Sequence, residues 1–315
     1  MTIKEANLDG NTLPIREFKL EWMAPNPSIC MIAKRASGKS WLVRTLLRYF
    51  SSLPCGIIIS KTDKMSTFYG KFIPEVYIYY EYKSEIIETL LDRQRKIIEK
   101  CKQKKAEGKK VDPRTFVVMD DCLSSKGTWM REKEIMELFF NGRHYKIMYI
   151  LTMQFPLGVT PELRGNFDYI FLLADDFISN QKRIYQHYAG MFPNEDAFRQ
   201  VFLQLTSNYG AMVIVNRGAK TSFLDKVFWY GGSDKEIKSI GNRQYNSYNK
   251  DNYDVNWEKK KRFIDTNQYF AERKKTGNIK VFKKEANQEK SSEKYSDKSK
   301  SKDPRSDKSR DKDHR

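Results

Sequence analysis

No apolar run in this 315-residue chain approaches the roughly 20 residues that a membrane-spanning helix needs. The opening "MTIKEANLDG" has no apolar signal core. Together these absences predict a soluble protein, kept inside a cell or enclosed in something assembled there. Cysteine is scarce and scattered: Cys30, Cys55, Cys101 and Cys122 show neither the paired spacing of a zinc site nor a disulfide framework. Cys30, Cys55 and Cys122 lie in or beside apolar runs, so they are expected as small buried hydrophobes in a reducing compartment. Of the three histidines, His187 and His314 have no company that suggests metal binding or catalysis. His144 is expected as a turn histidine, with general base as the alternative. Acids are also in deficit, with 40 Asp and Glu against 58 Lys and Arg, a net charge of +18. Half of that excess falls in residues 231–315, where 24 basic residues face 15 acidic ones. A surplus spread over the whole chain favours a polyanionic partner, nucleic acid before an anionic membrane surface, although surplus charge also serves solubility.

What is present is an alternation of short apolar runs with amphipathic ones from about residue 28 to 230. "SICMIA", "CGIIIS", "VYIYY" (76–80), "TFVVMD", "KIMYILTM", "FDYIFLL" and "YGAMVIV" read as strands, with "KVFWY" as an edge strand. Between them, "WLVRTLLRYF" carries Leu42, Val43, Leu46, Leu47 and Phe50 on one helical face. Residues 83–107 form a long charged helix ending near Gly108, and "REKEIMELFFNG" a shorter one stopped by Gly142. Residues 179–205 read as helix with a break at Phe192-Pro193. Apolar runs of five to eight residues separated by helices predict an α/β fold with a mostly parallel sheet covered on both faces. The expected organisation is a P-loop domain over 1–230, a polar arm with aromatic residues over 231–284, and a Lys/Ser/Asp-rich tail over 285–315. That tail cannot bury enough apolar area to offset its ordering entropy and is expected to be disordered.

Residues 33–40 read "AKRASGKS", the pattern of a phosphate-binding loop with alanine where the first glycine normally stands. Such a loop works because successive backbone N–H groups and a helix N-terminus converge on the anion. Ala33, Lys34, Arg35, Ala36, Ser37 and Gly38 would form the cradle, Lys39 would reach the β- and γ-phosphates of ATP, and the Ser40 hydroxyl would hold Mg²⁺. The Ala33 methyl would strain a left-handed turn but is tolerable if φ stays negative. "FVVMDDC" ends a strand in two acids. Asp120 is placed to hold the hydrated metal, and Asp121 to orient or deprotonate an attacking water. In "YILTMQF", Gln154 ends another strand, where an amide can sense the γ-phosphate. Arg143 and Arg164 are each placed for the role of an arginine finger on a neighbouring subunit.

The order of P-loop, Asp-Asp strand and "GRHYKIMYILTMQFP" resembles the FtsK/HerA superfamily of DNA-pumping ATPases. Gly142, Arg143, Gln154, Pro156 and Asn166 match that pattern over roughly residues 25–230. The Asp-Asp pair and the "GRHY" turn are most similar to its viral branch, the genome-packaging ATPases of poxviruses and other nucleocytoplasmic large DNA viruses. The resemblance implies a RecA-like core of strand order 5-1-4-3-2, assembled as a homo-oligomeric ring of five or six subunits around double-stranded DNA. It implies ATP and Mg²⁺ as ligands and Lys39, Asp121, Gln154 and a trans-acting Arg143 as catalytic groups. Capsid or vertex proteins would be further partners, and the host cytoplasm (a viral factory) and the virion the places of action. Ala33 and the shorter Asp121, where many relatives carry glutamate, are the departures. Two other readings stand beside this one: a nucleotide-binding scaffold without turnover, which Ala33 favours, and a P-loop nucleotide kinase, for which no arginine-rich lid segment is visible. Lys61, Lys64 and Lys71 form one basic region for gripping DNA and the helix at 93–110 another.

Overall fold

The computed structural model describes residues 2–122, 128–219 and 221–256. The tail expected over 285–315, and the arm beyond 256, lie outside the described residues. Met1–Asp254 form one compact unit and Val255–Arg315 a second, of which only Val255 and Asn256 are described.

In the first unit an eight-stranded sheet runs β10-β9-β8-β3-β7-β6-β4-β5. Its members are β3 (Ser28–Ile32), β4 (Gly56–Ser60), β5 (Ile78–Tyr79), β6 (Thr115–Asp120), β7 (Ile147–Met153), β8 (Tyr169–Leu173), β9 (Gly210–Val215) and β10 (Val227–Gly231). From β8 to β5 every neighbouring pair is parallel, while β9 and β10 add antiparallel strands at one edge. The sheet is therefore mixed. The helices are α1 (Lys39–Tyr49), α2 (Asp63–Ser66), α3 (Ser84–Ala106), α4 (Lys133–Asn141), α5 (Pro161–Arg164), α6 (Ile178–Tyr188), α7 (Glu195–Leu205) and α8 (Arg243–Asn252). Alternation along each strand divides the core into two layers. Cys30, Ile32, Val117, Met119, Ile147, Tyr149 and Leu151 face one layer with α3, α4, α6 and α7. Ile29, Met31, Phe116, Val118, Met148 and Ile150 face the other with α1.

Three elements depart from the sequence expectation. "VYIYY" supplies only the two-residue β5, because Glu75–Tyr77 turns as a 3-10 helix directly after Pro74. The N-terminus, with no element assigned from sequence, is a hairpin of β1 (Ile3–Leu8) and β2 (Asn11–Arg16). It turns at Asp9 and Gly10, whose φ values of 50° and 80° are those of an Asp-Gly hairpin turn. The hairpin is tied to α7 by Gln204, which donates to the Asn7 carbonyl at 2.8 Å and accepts from the Asn7 N–H at 2.8 Å. Past residue 230 the chain continues within the same unit: Ser233 N–H donates to Thr45 Oγ1 on α1 at 3.2 Å. Farther on, Tyr245 of α8 is buried, stacks on Tyr77 at 4.1 Å and donates its hydroxyl to the Gly56 carbonyl at 2.9 Å.

Candidate functional site

Parallel pairing brings the carboxyl ends of β4, β6, β7, β3 and β8 to one edge, where open α/β sheets bind ligands. Register aligns residues at or next to their ends: Ser60 pairs with Asp120, Asp120 with Thr152, and Thr152 with Met31.

From β3 the chain passes through residues 33–38 into α1. Ala33 is not strained. Its N–H donates to the Met153 carbonyl at 3.0 Å, so it prolongs the ladder with β7, and its methyl is buried. Left-handed backbone occurs instead at Ala36 (φ 60°) and Gly38 (φ 93°). Ser37 closes the turn through its hydroxyl, which donates to the Lys34 carbonyl at 2.6 Å. Six of the eight expected cradle residues, Lys34, Arg35, Ala36, Gly38, Lys39 and Ser40, line a cavity of about 880 Å³; Ala33 and Ser37 are buried behind it. Lys34 is drawn to the side, where it pairs with Asp176 and lies 4.5 Å over the Phe177 ring. That hydrogen bond holds the Asp176 carboxyl below the usual range.

The acid pair faces the loop. Asp120 is 3% exposed, and Lys39 Nζ lies 3.2 Å from its Oδ1. The Thr152 hydroxyl donates to the same Oδ1, and the Tyr69 hydroxyl donates to Oδ2 at 3.0 Å. Burial, and then the Asp120 charge, push the Tyr69 hydroxyl well above its ordinary value, so it stays a donor. Asp121 takes φ 55°, a left-handed value that aspartate tolerates. Its N–H donates to Thr152 Oγ1 at 3.1 Å, and Gln154 Nε2 donates to its Oδ2. One threonine thus orients both acids, and the glutamine fixes the second. Cys122 follows directly; burial, then the two carboxylates, push its thiol up to about 12, so it is uncharged at neutral pH.

Part of the cavity lining is apolar and aromatic. Trp41, Leu42, Tyr209, Gly231 and Gly232 contribute to it, together with Asp234. Asn208 and Tyr209 are both left-handed, at φ 52° and 58°, which turns the Tyr209 ring over Gly38. A Cβ on Gly38 would meet that ring at 3.4 Å. Arg44, nine-tenths buried, stacks its guanidinium 3.8 Å over Trp41. Asp120, Asp121 and Gln154 line the same cavity, so it brings together the loop backbone, the two acids, the glutamine and an aromatic surface.

The fold does not bring Arg143 here. It is exposed in the turn before β7, at the amino end of that strand, opposite the P-loop edge. His144 is exposed in the same turn, Arg164 stacks over Tyr188 at 5.7 Å, and Asn166 donates to the Glu162 carbonyl at 2.9 Å. The residues that sequence reasoning missed are Tyr69, Thr152, Trp41 and Tyr209. Thr152 had a signal, as the one polar residue inside "MYILTM". Tyr69 had none, since it reaches Asp120 from 51 positions away. Among the described residues no cluster of three or more His, Cys, Asp or Glu is placed to hold a metal, and no helix is long and apolar enough to cross a membrane.

Residues 16–188, from β2 to the end of α6, match the model of the family described as Poxvirus A32 protein. The chain belongs to that family. The matched span contains the P-loop, both acids, Thr152, Gln154 and Tyr69. Among relatives of this family member, the uncharacterized protein L437 of Acanthamoeba polyphaga mimivirus is 48% identical over 246 residues, 78% of this chain and 86% of its own length. Protein 088R of Invertebrate iridescent virus 3 is 31% identical over 234 residues, 70% of this chain and 86% of its own. Among solved structures, the genome packaging NTPase B204 of Sulfolobus turreted icosahedral virus 2, in complex with ATP-gammaS, is 16% identical. It has a TM-score of 0.43 and covers 62% of this chain and 94% of its own.

Proposed function

We propose that the chain is an ATP-hydrolysing motor of the FtsK/HerA type that moves double-stranded DNA into a viral capsid. The carrying observation is the facing pair of Lys39 and Asp120, 3.2 Å apart, with Gln154 locked onto Asp121 in the same cavity. The five strands β8-β3-β7-β6-β4, counted from the P-loop strand, support the RecA-like order 5-1-4-3-2. In this reading Lys39 moves from Asp120 to the β- and γ-phosphates, and the backbone of residues 34–39 cradles them. Ser40 and Asp120 would hold Mg²⁺, which would neutralise charge on the phosphates. Two protein groups suit an ion that keeps waters and phosphate oxygens as its other ligands. Asp121, oriented by Gln154 and Thr152, accepts the proton of the water that attacks the γ-phosphorus; ADP and phosphate leave. Trp41 and Tyr209 give the base a stacking surface.

Arg143, exposed on the opposite edge, can serve only a neighbouring subunit's nucleotide, which suits a ring. The +18 charge suits a duplex partner gripped through phosphates without sequence reading. Capsid or vertex proteins as partners, and action in the viral factory and virion, belong to the same reading. Ala33, the feature that favoured a scaffold without turnover, no longer does so, because it sits unstrained at the strand end. The test is ATP hydrolysis with and without double-stranded DNA across a salt series, beside Lys39→Ala. Turnover should rise with DNA, fade with salt, and fall by about 10²–10³ or more in the variant, the cost of removing a preorganised charge partner of the transition state. Nucleotide binding without turnover under every condition would defeat the motor.

A further inference from the structure

The segment between β4 and the 3-10 turn at Glu75–Tyr77 touches the nucleotide cavity at several points and solvent between them. Thr62 and Phe68 line the cavity. Between them Lys64, Met65, Ser66 and Thr67 are exposed, Met65 to 89%, as are Lys61 before and Lys71 after this stretch. Tyr69, fully buried, carries the connection inward. Its hydroxyl donates to Asp120 Oδ2 at 3.0 Å, while its own backbone N–H donates to Asp63 Oδ1 at 2.8 Å. Asp63 also accepts from the Ser66 hydroxyl, so the exposed tip and the buried tyrosine hang on one carboxylate.

Two features mark this segment as able to take more than one position. Thr67, β-branched, holds φ 48°, a conformation such residues rarely adopt without the surroundings imposing it. Asp63, 2% exposed, leaves its Oδ2 without a partner among the described residues. A shift of the tip would release the Thr67 conformation. Phe68, packed edge-on against Tyr69 with ring centroids 5.1 Å apart, would move with it. A shift therefore alters a wall of the nucleotide cavity and the hydrogen bond on Asp120 together.

We propose that residues 61–71 are a transmission segment: duplex DNA phosphates engage Lys61, Lys64 and Lys71, and the Tyr69 hydroxyl on Asp120 relays that engagement to the nucleotide site. The inference rests on the ATPase reading above and adds to it the part of the chain that links the two ligands. Tyr69 is a positioning residue, acting on Asp120 rather than on the nucleotide. Coupling of this kind is reciprocal in binding: whatever the nucleotide does to DNA affinity, DNA does to nucleotide affinity.

The test is binding linkage, which requires no turnover. The affinity of the full chain for a fluorescent DNA duplex is measured with and without ATP-gammaS and Mg²⁺, in the wild type, Tyr69→Phe and the double variant Lys61→Ala/Lys71→Ala. The wild type is expected to show a nucleotide-dependent change of at least about 5-fold. Tyr69→Phe, which keeps the ring and its packing, should bind each ligand alone yet bring that ratio toward one. The double lysine variant alters only exposed side chains and so tests the tip independently of folding. It should bind DNA more weakly, with a shallower salt dependence. A Tyr69→Phe ratio equal to that of the wild type overturns the relay, and unchanged DNA affinity and salt slope in the lysine variant overturn the contact. A wild type that binds both ligands with no linkage sinks the inference and leaves the ATPase standing. A wild type that binds neither takes down the reading on which it rests.

Discussion

The two edges of the parallel sheet use the same device for opposite ends. At the carboxyl edge Asp120 ends β6 and is held by Lys39, Thr152 and Tyr69, which arrive from α1, β7 and the segment after β4. At the amino edge Asp168 precedes β8. Its Oδ2 accepts from both the Ser28 N–H and the Ser28 hydroxyl at 3.0 Å, while its own N–H donates to Ser28 Oγ at 2.9 Å. Each carboxylate clamps neighbouring elements. The difference lies in what else the clamp faces. Asp120 opens onto the cavity with a lysine that can leave it, and Asp121 beside it spends a left-handed conformation to face the same way. Asp168 faces Ser28 and the backbone at the starts of β3 and β8, with Arg217 at 3.7 Å. Left-handed backbone occurs at both edges, at Asp121 on one and at Lys146 before β7 on the other. An open cavity and a lysine facing it mark the edge proposed to do chemistry, and closed reciprocal hydrogen bonds mark the edge that holds the sheet.

That contrast breaks most sharply at Asp121. Asp121→Asn keeps the shape and the partner to Gln154 but removes the proton acceptor. ATP turnover should fall by about 10²–10⁴, the usual worth of a positioned general base. Nucleotide binding, followed by fluorescence of a labelled analogue, should change little. If turnover survives, the proton goes elsewhere and the distinction between the edges loses its chemical half. The mirror experiment is Asp168→Ala. It strands the N–H of the buried Ser28, whose hydroxyl keeps the Asn166 carbonyl, and an unsatisfied buried group costs about 1–3 kcal/mol. Urea unfolding should show that loss. Turnover per folded molecule should stay at the wild-type level, because Asp168 lies at the far end of the strands from the cavity. A large loss of turnover at matched folded fraction would show that the amino edge is not merely structural.

The carboxyl edge was legible because its chemistry is local in the sequence. The loop, the Asp-Asp pair and Gln154 each sit at the end of an apolar run, and parallel strands must place those ends together. The strand that carries Lys39's loop (β3), the glutamine strand (β7) and the acid strand (β6) lie side by side in that order. The illegible part was made by side chains from elsewhere. Tyr69 reaches Asp120 from a loop whose path no periodicity specifies. Tyr209 reaches Gly38 only because Asn208 and Tyr209 turn left-handed in succession. Ala33 could be judged only conditionally for a related reason: the motif gives identity but not φ, and it is the hydrogen bond from its N–H to Met153 that keeps it in line with the strand. The N-terminal hairpin was within reach, since Asp9-Gly10 sits between two segments that alternate about a turn.

The smallest expected effect sharpens the comparison at the amino edge. Tyr145, in the turn with Arg143 and His144, donates its hydroxyl to Glu137 Oε1 at 2.6 Å, and Asn141 donates to Oε2 at 3.2 Å. The Tyr145 bond is the main cause that lowers the Glu137 carboxyl below its ordinary value of 4.5. A carboxyl lowered by folding contributes stability above its unfolded pKa and loses that contribution as pH falls through the folded one. Tyr145→Phe removes the main cause, so the variant should be less stable than the wild type at neutral pH. The two stability curves should then converge in acid, below the folded pKa of the wild type. The gap should be under about 1 kcal/mol, because the pair is largely in contact with solvent. Urea midpoints measured from pH 7 down to pH 3 would show it. A gap that persists unchanged into acid would mean that the tyrosine acts through packing against α3, where Arg95 lies 5.5 Å over its ring, and not through the carboxylate. Convergence would place at the amino edge a titrating group that acts on stability through its hydrogen bond to Tyr145.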